Sequence, residues 1–308
     1  MAIIRTVGGD IAPESLGFTT HHEHLIGQPQ KAGDDPDYYL DSEAAAIKEM
    51  RHFVTAGGRA VVEMSPLDYG RDVRALRRIS EASDVHIIAV AGYIKGKSAD
   101  PFVRDLTVEQ IAESLIRDVN EGIDGTGIRA GVLKAGTSLN TITPNEEKII
   151  EAVAIAQRAT GAAISTHTEA GTMALEQVER FTRLGVPPER LLIGHLDRNM
   201  DWELHLALAR TGVTFGYDQF GKEKYAPDSQ RIDFVVRMVR DGFRDQLALS
   251  MDIARRSYFT SYGGGPGFTY LWWRIVPWLK ESGLSDDDID AIFRRTPARL
   301  LSIDSQER

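Results

Sequence analysis

Two histidines separated by one residue stand near the start of the chain, in the segment His22-Glu23-His24. Alternate side chains of a β-strand point to the same face. Two imidazoles two positions apart on a strand can therefore bind one divalent ion. A polar cluster of histidines at a strand end is the structural alternative.

A lysine within an apolar segment offers a second kind of chemistry. Lys134 lies in Gly131-Val-Leu-Lys-Ala-Gly136, where burial should lower its pKa. The neutral amine could form a Schiff base with a carbonyl substrate, or react with carbon dioxide to give a carbamate that bridges two metal ions. An ion-paired lysine at the mouth of a barrel is the structural alternative.

Two further histidines and an aspartate each end a strand-like segment: His167, His195 and Asp252. With the first pair and the lysine, they place four histidines, one lysine and one aspartate on five predicted strands. The chain has no cysteine, so a metal site must be built from histidine and carboxylate ligands. This combination predicts a two-metal site.

The elements that must position these residues are eight short apolar runs separated by helix-like segments. The runs cover residues 17–24, 59–64, 86–92, 129–134, 162–167, 191–195, 213–218 and 247–252. Near-continuous apolar runs are typical of strands buried in a parallel sheet. Among the segments between them, 107–121 and 144–160 have amphipathic spacing, with Thr107 and Thr143 as N-caps.

The candidate catalytic and metal-binding residues lie at the ends of several predicted strands, and this favours a barrel over a doubly wound sheet. Barrel enzymes place catalytic groups at the C-terminal ends of several strands, all facing one mouth. We therefore expect an α/β fold, a distorted (β/α)8 TIM barrel that forms a single domain over residues 1–308. Residues 3–16, with Gly8-Gly9, predict a short N-terminal hairpin across the barrel floor.

The overall charge excludes some partners. The 308 residues include 36 Lys and Arg and 45 Asp and Glu, which gives a formal net charge of −9. This composition lacks the basic footprint of a nucleic-acid-binding protein. The chain shows no signal-peptide core and no apolar run approaching about 18 residues. These features predict a cytoplasmic protein with no membrane partner.

Five motifs in chain order make the sequence resemble the phosphotriesterase family of the amidohydrolase superfamily over essentially its whole length. They are Thr20-His-His-Glu-His-Leu25, Val132-Leu-Lys134, Thr166-His-Thr168, Ile193-Gly-His-Leu-Asp197 and Ser250-Met-Asp252. The resemblance implies a metal-dependent hydrolase with two divalent ions, most often Zn²⁺. Some relatives carry Glu at the position of Lys134, and the lysine in this chain implies a carbamate formed from CO₂.

The resemblance also implies how the ligands are divided. His22, His24 and Asp252 would hold the more buried ion, and His167 and His195 the more exposed one. Carboxylated Lys134 and a hydroxide would bridge the two. Such a pair of ions leaves a hydroxide available at neutral pH. Asp252 could then pass the proton of this hydroxide to the leaving group, and Asp197 could orient a ligand from behind or form an ion pair at the rim.

The loops after the seventh and eighth strands carry the substrate hypothesis. They resemble those of family members that act on phosphorylated sugar lactones, and barrel phosphate sites often lie in these loops. Lys222, Tyr225 and Arg255 are the first candidates for binding the phosphate, whereas Lys224 and Arg256 could face solvent. The expected activity is that of a lactonase for a phosphorylated sugar lactone, with promiscuous phosphotriesterase activity.

Other functions stay open at this point. An aromatic run comprises Phe268, Tyr270, Trp272, Trp273 and Trp278. It could line a pocket for an apolar acyl lactone, or pack the interface of a homodimer. A phosphotriesterase that hydrolyses organophosphates is a further alternative. A Schiff-base aldolase using Lys134 would leave four histidines unexplained. A non-catalytic binding protein would be expected to lack some of the metal ligands.

Overall fold

Short parallel strands build the core of the molecule. The computed structural model describes residues 2–29 and 35–304. The strands are β1 (Ala2–Thr6), β2 (Gly9–Ile11), β3 (Thr19–Glu23), β4 (Ala60–Glu63), β5 (His86–Gly92), β6 (Val132–Thr137), β7 (Ala163–Thr168), β8 (Leu191–Ile193), β9 (Thr214–Tyr217), β10 (Leu247–Leu249) and β11 (Ile303–Asp304). Strands β3 to β10 form one sheet in which each strand lies beside its predecessor. This order confirms the predicted (β/α)8 barrel.

All eight predicted barrel strands are present, and β6 differs most from its prediction. It begins after residue 129, because the Ala130 N–H already donates to the carbonyl of Asp118 at 3.0 Å. It continues beyond Lys134, because pairing with β7 extends to Thr137. Lys134 therefore lies in the middle of a strand and not at its end. Its backbone pairs with β5 on one side and with β7 on the other.

Helices cover the outside of the sheet. They are α1 (Glu43–Ala56), α2 (Val73–Ser83), α3 (Gly96–Val103), α4 (Val108–Asn120), α5 (Pro144–Thr160), α6 (Ala174–Arg183), α7 (Trp202–Ala209), α8 (Asp228–Arg240), α9 (Val276–Glu281), α10 (Asp286–Asp290) and α11 (Thr296–Leu301). The predicted caps of α4 and α5 are confirmed, because Thr107 and Thr143 each form a reciprocal capping box with the third helical residue. Within the described ranges, we find no helix with the length and hydropathy needed to cross a bilayer.

The N-terminal hairpin covers the floor of the barrel, as predicted. β1 and β2 pair antiparallel, and β11 pairs with the other edge of β1. Ile4 and Leu16 are fully buried against apolar side chains of β4, β5 and β6. Burial of two such residues stabilises the fold by roughly 1.5–3 kcal/mol each.

The barrel closes at a seam between β3 and β10, which we define as His22 to His24 against Ser250 to Ile253. The His24 N–H donates to the Ile253 carbonyl, and the Asp252 N–H donates to the His22 carbonyl, both at 3.1 Å. The fully buried Glu23 carboxylate completes the seam. It accepts hydrogen bonds from the Ser250 hydroxyl at 2.7 Å and from the backbone N–H groups of residues 251 and 253.

Candidate metal centre

A cavity of about 380 Å³ lies at the C-terminal ends of the barrel strands. Its walls contain every residue that the sequence analysis selected as a metal ligand. These are His22, His24, Lys134, His167, His195 and Asp252. The barrel thus brings together six side chains that are as much as 230 positions apart in the chain.

The pair of histidines on β3 faces the aspartate across the seam. Nε2 of His24 lies 3.3 Å from Oδ1 of Asp252, and Nε2 of His22 lies 3.8 Å from the same oxygen. One ligand atom from each residue falls within 4.8 Å of the others. The three side chains therefore converge on one point, as ligands of a single ion do.

The second pair of histidines converges in the same way. Nε2 of His195 lies 2.8 Å from Nδ1 of His167. The ring of His195 is also 4.8 Å from that of His22, measured between centroids. The two ligand groups are therefore adjacent, at a separation that suits two neighbouring ions.

Two of the predicted ligands lie just beyond their strands in a left-handed backbone conformation. His195 has φ of 59° and Asp252 has φ of 49°. This region is uncommon for residues with a β-carbon. Strained backbone of this kind clusters at functional sites, where the surrounding structure holds it in place. The left-handed backbone of both residues is therefore what we expect at positions that direct a side chain into a functional site.

Lys134 lies buried below the histidines, with 1% of its surface exposed. Its Nζ donates to the carbonyl of Met64 at 3.0 Å. Burial lowers the pKa of its ammonium group to about 8, against the raising effect of carboxylates that include Asp252. A fraction of the side chain is therefore a neutral amine at neutral pH, and this is the form that reacts with carbon dioxide.

Burial also keeps three of the four imidazoles neutral. Desolvation lowers the pKa of His24 to about 4 and the pKa values of His22 and His167 well below their ordinary value. A neutral imidazole has the lone pair that a metal requires. Burial alone would raise the pKa of Asp252, but Lys222 and the neighbouring histidines hold it well below its ordinary value. Asp252 is therefore ionised at neutral pH.

Hydrogen bonds on the outer side of the rings orient two of the histidines. Nδ1 of His24 lies 2.8 Å from the Ser65 hydroxyl, which leaves Nε2 directed at the cavity. Nδ1 of His195 lies 2.7 Å from Oδ1 of Asp218, which leaves Nε2 directed at His167. Metal-binding histidines are typically held in this way through their second nitrogen.

Asp218 lies beside histidines of both groups and is hydrogen-bonded to His195. Besides its contact with His195, its Oδ2 lies 3.5 Å from Nδ1 of His22. Asp197 was predicted as a candidate for orienting a ligand, but among the described residues it contacts the segment that carries Asp218 and not a histidine. It accepts hydrogen bonds from the backbone N–H groups of Asp218 and Gln219 and from Arg231. Asp197 therefore positions the segment that carries Asp218.

Lys222, a predicted phosphate-binding residue, lies beside Asp252. Its Nζ is 2.9 Å from Oδ2 of that aspartate and donates to its carbonyl at 2.7 Å. The Gln219 side-chain amide donates to the same Oδ2 at 3.1 Å. Replacing Lys222 would therefore disturb a proposed metal ligand as well as any contact with substrate.

The other two predicted phosphate-binding residues lie behind the cavity wall. The Arg198 guanidinium is 4.5 Å above the centroid of the Tyr225 ring, and the Arg255 guanidinium is 3.8 Å above that of Tyr38. Arg198 and Tyr38 line the cavity, whereas Tyr225 and Arg255 are absent from the lining that the described residues form.

Three charged wall residues were missed by the sequence analysis. Lys95, Glu169 and Arg198 follow β5, β7 and β8, and all three line the cavity. The signal that could have found them is the one that identified the histidines, namely an ionisable side chain within a few positions of a strand end.

The similarity of this protein to a known family extends over almost the whole chain and is not limited to the six proposed ligands. A sequence profile of the phosphotriesterase family matches residues 2–301. This chain belongs to the phosphotriesterase family. Members of the family generally depend on a binuclear metal centre. The family assignment favours hydrolysis over the Schiff-base alternative.

Two solved structures of the phosphotriesterase family resemble this chain closely. A lactonase from Listeria monocytogenes is 37% identical, with a TM-score of 0.94 over 98% of this chain and 100% of that one. The phosphotriesterase homology protein from Escherichia coli, complexed with phosphate in its active site, is 33% identical. Its TM-score is 0.90 over 93% of this chain and 99% of that one.

A further family member extends the similarity to a named substrate class. A phospho-furanose lactonase from Mycoplasmopsis agalactiae is 33% identical over 324 aligned positions, which cover 98% of this chain and 92% of the relative. These family members are hydrolases, and so is this chain.

The residues present fit the family's binuclear centre. Neutral imidazoles point their free nitrogens inward, and an ionised carboxylate faces them. A buried lysine of lowered pKa lines the same cavity. Outer hydrogen bonds fix His24 and His195 in their orientations. The donor set therefore fits the family's metal chemistry.

We expect Asp218→Asn to lower the affinity for divalent ions by about 10–100-fold, the usual effect of losing an outer hydrogen-bond partner of a metal ligand. The charge beside His195 and His22 would be lost while the side-chain shape is kept. Competition with a chromogenic chelator measures the affinity. Asp245→Asn, at an exposed carboxylate, is the control. An affinity within about threefold of wild type would contradict the role of Asp218.

Proposed function

We propose that this hydrolase opens the ring of a sugar lactone that carries a phosphate group. The observation that carries the proposal is a concentration of cations and tyrosines beside the cavity, in a chain of net charge −9. They are Lys222, Lys224, Arg255, Tyr38, Tyr225 and Tyr258. Cations and hydroxyl donors are the groups that bind phosphate.

Lys224 joins the candidates for the phosphate contact. Its Nζ lies 4.8 Å from the centroid of the Tyr225 ring and 5.8 Å from that of Tyr258. In residues 2–29 and 35–304, it forms an ion pair with no carboxylate. Its charge is therefore available to an anionic ligand, whereas that of Lys222 is shared with Asp252.

The relatives support the same substrate class. One is named as a phospho-furanose lactonase, and another binds phosphate in its active site. A phosphate held at the rim would be remote from the carbonyl that reacts. Binding energy from such a remote group can orient the reacting bond.

The reaction consumes one water molecule and breaks the ester C–O bond of the lactone. Two divalent ions, when held by the six ligands, supply a Lewis acid and lower the pKa of the attacking water. Zinc suits the imidazole and carboxylate ligands, and a carbamate on Lys134 would add a shared anionic ligand. Asp252 takes a proton from the attacking water and delivers it to the ring oxygen as that oxygen leaves. The product is a hydroxy acid that keeps its phosphate.

We expect Arg255→Gln and Lys224→Gln each to lower kcat/KM on a phosphorylated lactone by about 10- to 150-fold, since a charge-assisted contact with phosphate contributes about 1.5–3 kcal/mol. Activity on the unphosphorylated lactone should hardly change. Steady-state kinetics on the two substrates measures the contrast. Arg256→Gln is a matched control: Arg256, like Arg255, pairs with a carboxylate, but it stacks on Tyr262 and not on the cavity-lining Tyr38. Equal losses on both substrates would argue against a phosphate contact.

The aromatic run supports the acyl-pocket alternative poorly. Phe268 packs against Phe53 and Phe259 in the core, and Trp272 packs against Phe53 and Phe293. Trp273 is 65% exposed, which fits the interface alternative better than a pocket. A preference of the wild type for a long-chain acyl lactone over every phosphorylated lactone would nevertheless replace our proposal.

A further inference from the structure

We propose that Lys95, Glu169 and Arg198 form a subsite that binds the vicinal hydroxyl groups of a lactone ring. This inference rests on the proposed function and names a second determinant of the same substrate. We call the three residues the rim triad.

The rim triad is held together by its own contacts on one wall of the cavity. Oε1 of Glu169 accepts a hydrogen bond from Nη1 of Arg198 at 3.1 Å, and Oε2 is paired with the Lys95 ammonium. The side chains of Lys95, Glu169 and Arg198 are 16%, 26% and 20% exposed. They are therefore reachable from the cavity and at the same time partly desolvated, so that their hydrogen bonds carry direction and specificity.

The backbone fixes Glu169 in place. The Glu169 carbonyl accepts a hydrogen bond from the Thr172 hydroxyl at 2.8 Å. Ala170, the next residue, has a left-handed φ of 55°. The turn thus fixes the backbone of Glu169, and the contacts with Lys95 and Arg198 direct its two carboxylate oxygens.

The mixture of charges in the rim triad selects the kind of ligand. Both cations of the rim triad already pair with the Glu169 carboxylate, so a phosphate or carboxylate would have to compete with that charge for them. An apolar chain would desolvate three charged groups without replacing their hydrogen bonds with water. A hydroxyl group both donates and accepts, so neighbouring hydroxyls can donate to Glu169 and accept from Lys95 and Arg198.

The rim triad lies close to the expected position of the reacting carbonyl. Oε2 of Glu169 is 3.4 Å from Nε2 of His167. A lactone whose carbonyl lies beside His167 would bring the hydroxyls on the next ring carbons to Glu169. The rim triad would therefore bind the hydroxyl groups of the lactone ring, while the loops after β9 and β10 would bind the phosphate.

The test compares two unphosphorylated substrates, D-ribono-1,4-lactone and its 2,3-dideoxy analogue, with the metal-loaded enzyme. We expect the wild type to prefer the hydroxylated lactone in kcat/KM. Glu169→Gln should reduce this preference by at least about tenfold, the effect of one hydrogen bond to a charged group. Arg198→Met provides a second variant and should reduce the preference in the same direction. Glu179→Gln, at an exposed helix position, is the control that should keep the wild-type preference.

The outcomes separate this inference from the phosphate proposal. A preference that is the same in wild type, Glu169→Gln and Arg198→Met overturns the hydroxyl subsite, even when a phosphorylated lactone is the best substrate. A preference that falls in both variants supports the subsite, even when phosphorylation of the lactone brings no advantage. In that case only the phosphate contact would be abandoned.

Discussion

Replacing Lys134 by alanine is expected to remove bound metal and to lower kcat by at least about 10³-fold. The Lewis acid is worth several kcal/mol, and each 1.36 kcal/mol corresponds to a factor of ten in rate. Lys134 is buried in the wall of the cavity that the proposed ligands share, and burial lowers its pKa to about 8. The reaction of its amine with carbon dioxide gives a carbamate and releases one proton. Metal analysis and turnover of the same preparation measure the effect.

Two comparisons distinguish a bridging carbamate from general damage. Acetate or propionate should partly restore metal binding and turnover to Lys134→Ala, because a short acid can occupy the position of the lost carbamate, whereas bicarbonate should not. Lys134→Glu should keep more metal than Lys134→Ala, since it supplies a carboxylate directly. Lys280→Ala, on an exposed helix, is the control. Full metal content with wild-type turnover in Lys134→Ala would show that the carbamate assignment is wrong.

Asp252→Asn is expected to lower kcat by at least about 10²-fold, the lower range for loss of a general acid–base group. Lys222 and Gln219 both contact Oδ2 of Asp252, and His24 contacts Oδ1. These contacts aim an ionised carboxylate at the cavity. The asparagine side chain keeps the shape of aspartate, but its neutral amide cannot act as a base for the proton of the attacking water.

The metal content of Asp252→Asn must be measured with its turnover, since Asp252 is also a proposed ligand. Asp286→Asn, at an exposed helix start, serves as the control. A variant that keeps two ions and an unchanged kcat would remove the proton-transfer role. A variant that loses metal and regains turnover at saturating metal would show a ligand role alone.

The barrel could be predicted because its strands are near-continuous apolar runs, and parallel strands are buried on both faces. The helix caps at Thr107 and Thr143 could be predicted for a similar reason, because capping depends on residues three positions apart. Both signals are local. They need no knowledge of which segments meet in space.

The parts that could not be predicted depend on contacts between distant segments. Asp197 follows His195 by two residues, yet the carboxylate on the His195 ring belongs to Asp218, which comes from the next strand. The direction of Lys222 towards Asp252 depends on a loop without periodicity. The loop after β7 likewise gives no local sign that Glu169 turns into the cavity.

The seam between β3 and β10 has a consequence for the cohesion of the whole barrel. His22 and His24 lie on the first barrel strand, and Asp252 follows the last one. An ion shared by these residues would tie the two ends of the cylinder together, beside the buried Glu23 carboxylate. A ligand that binds the closed state alone shifts an opening equilibrium by mass action. The ion would thus stabilise the closed barrel, and the fraction of molecules opened between β3 and β10 would depend on the concentration of free metal.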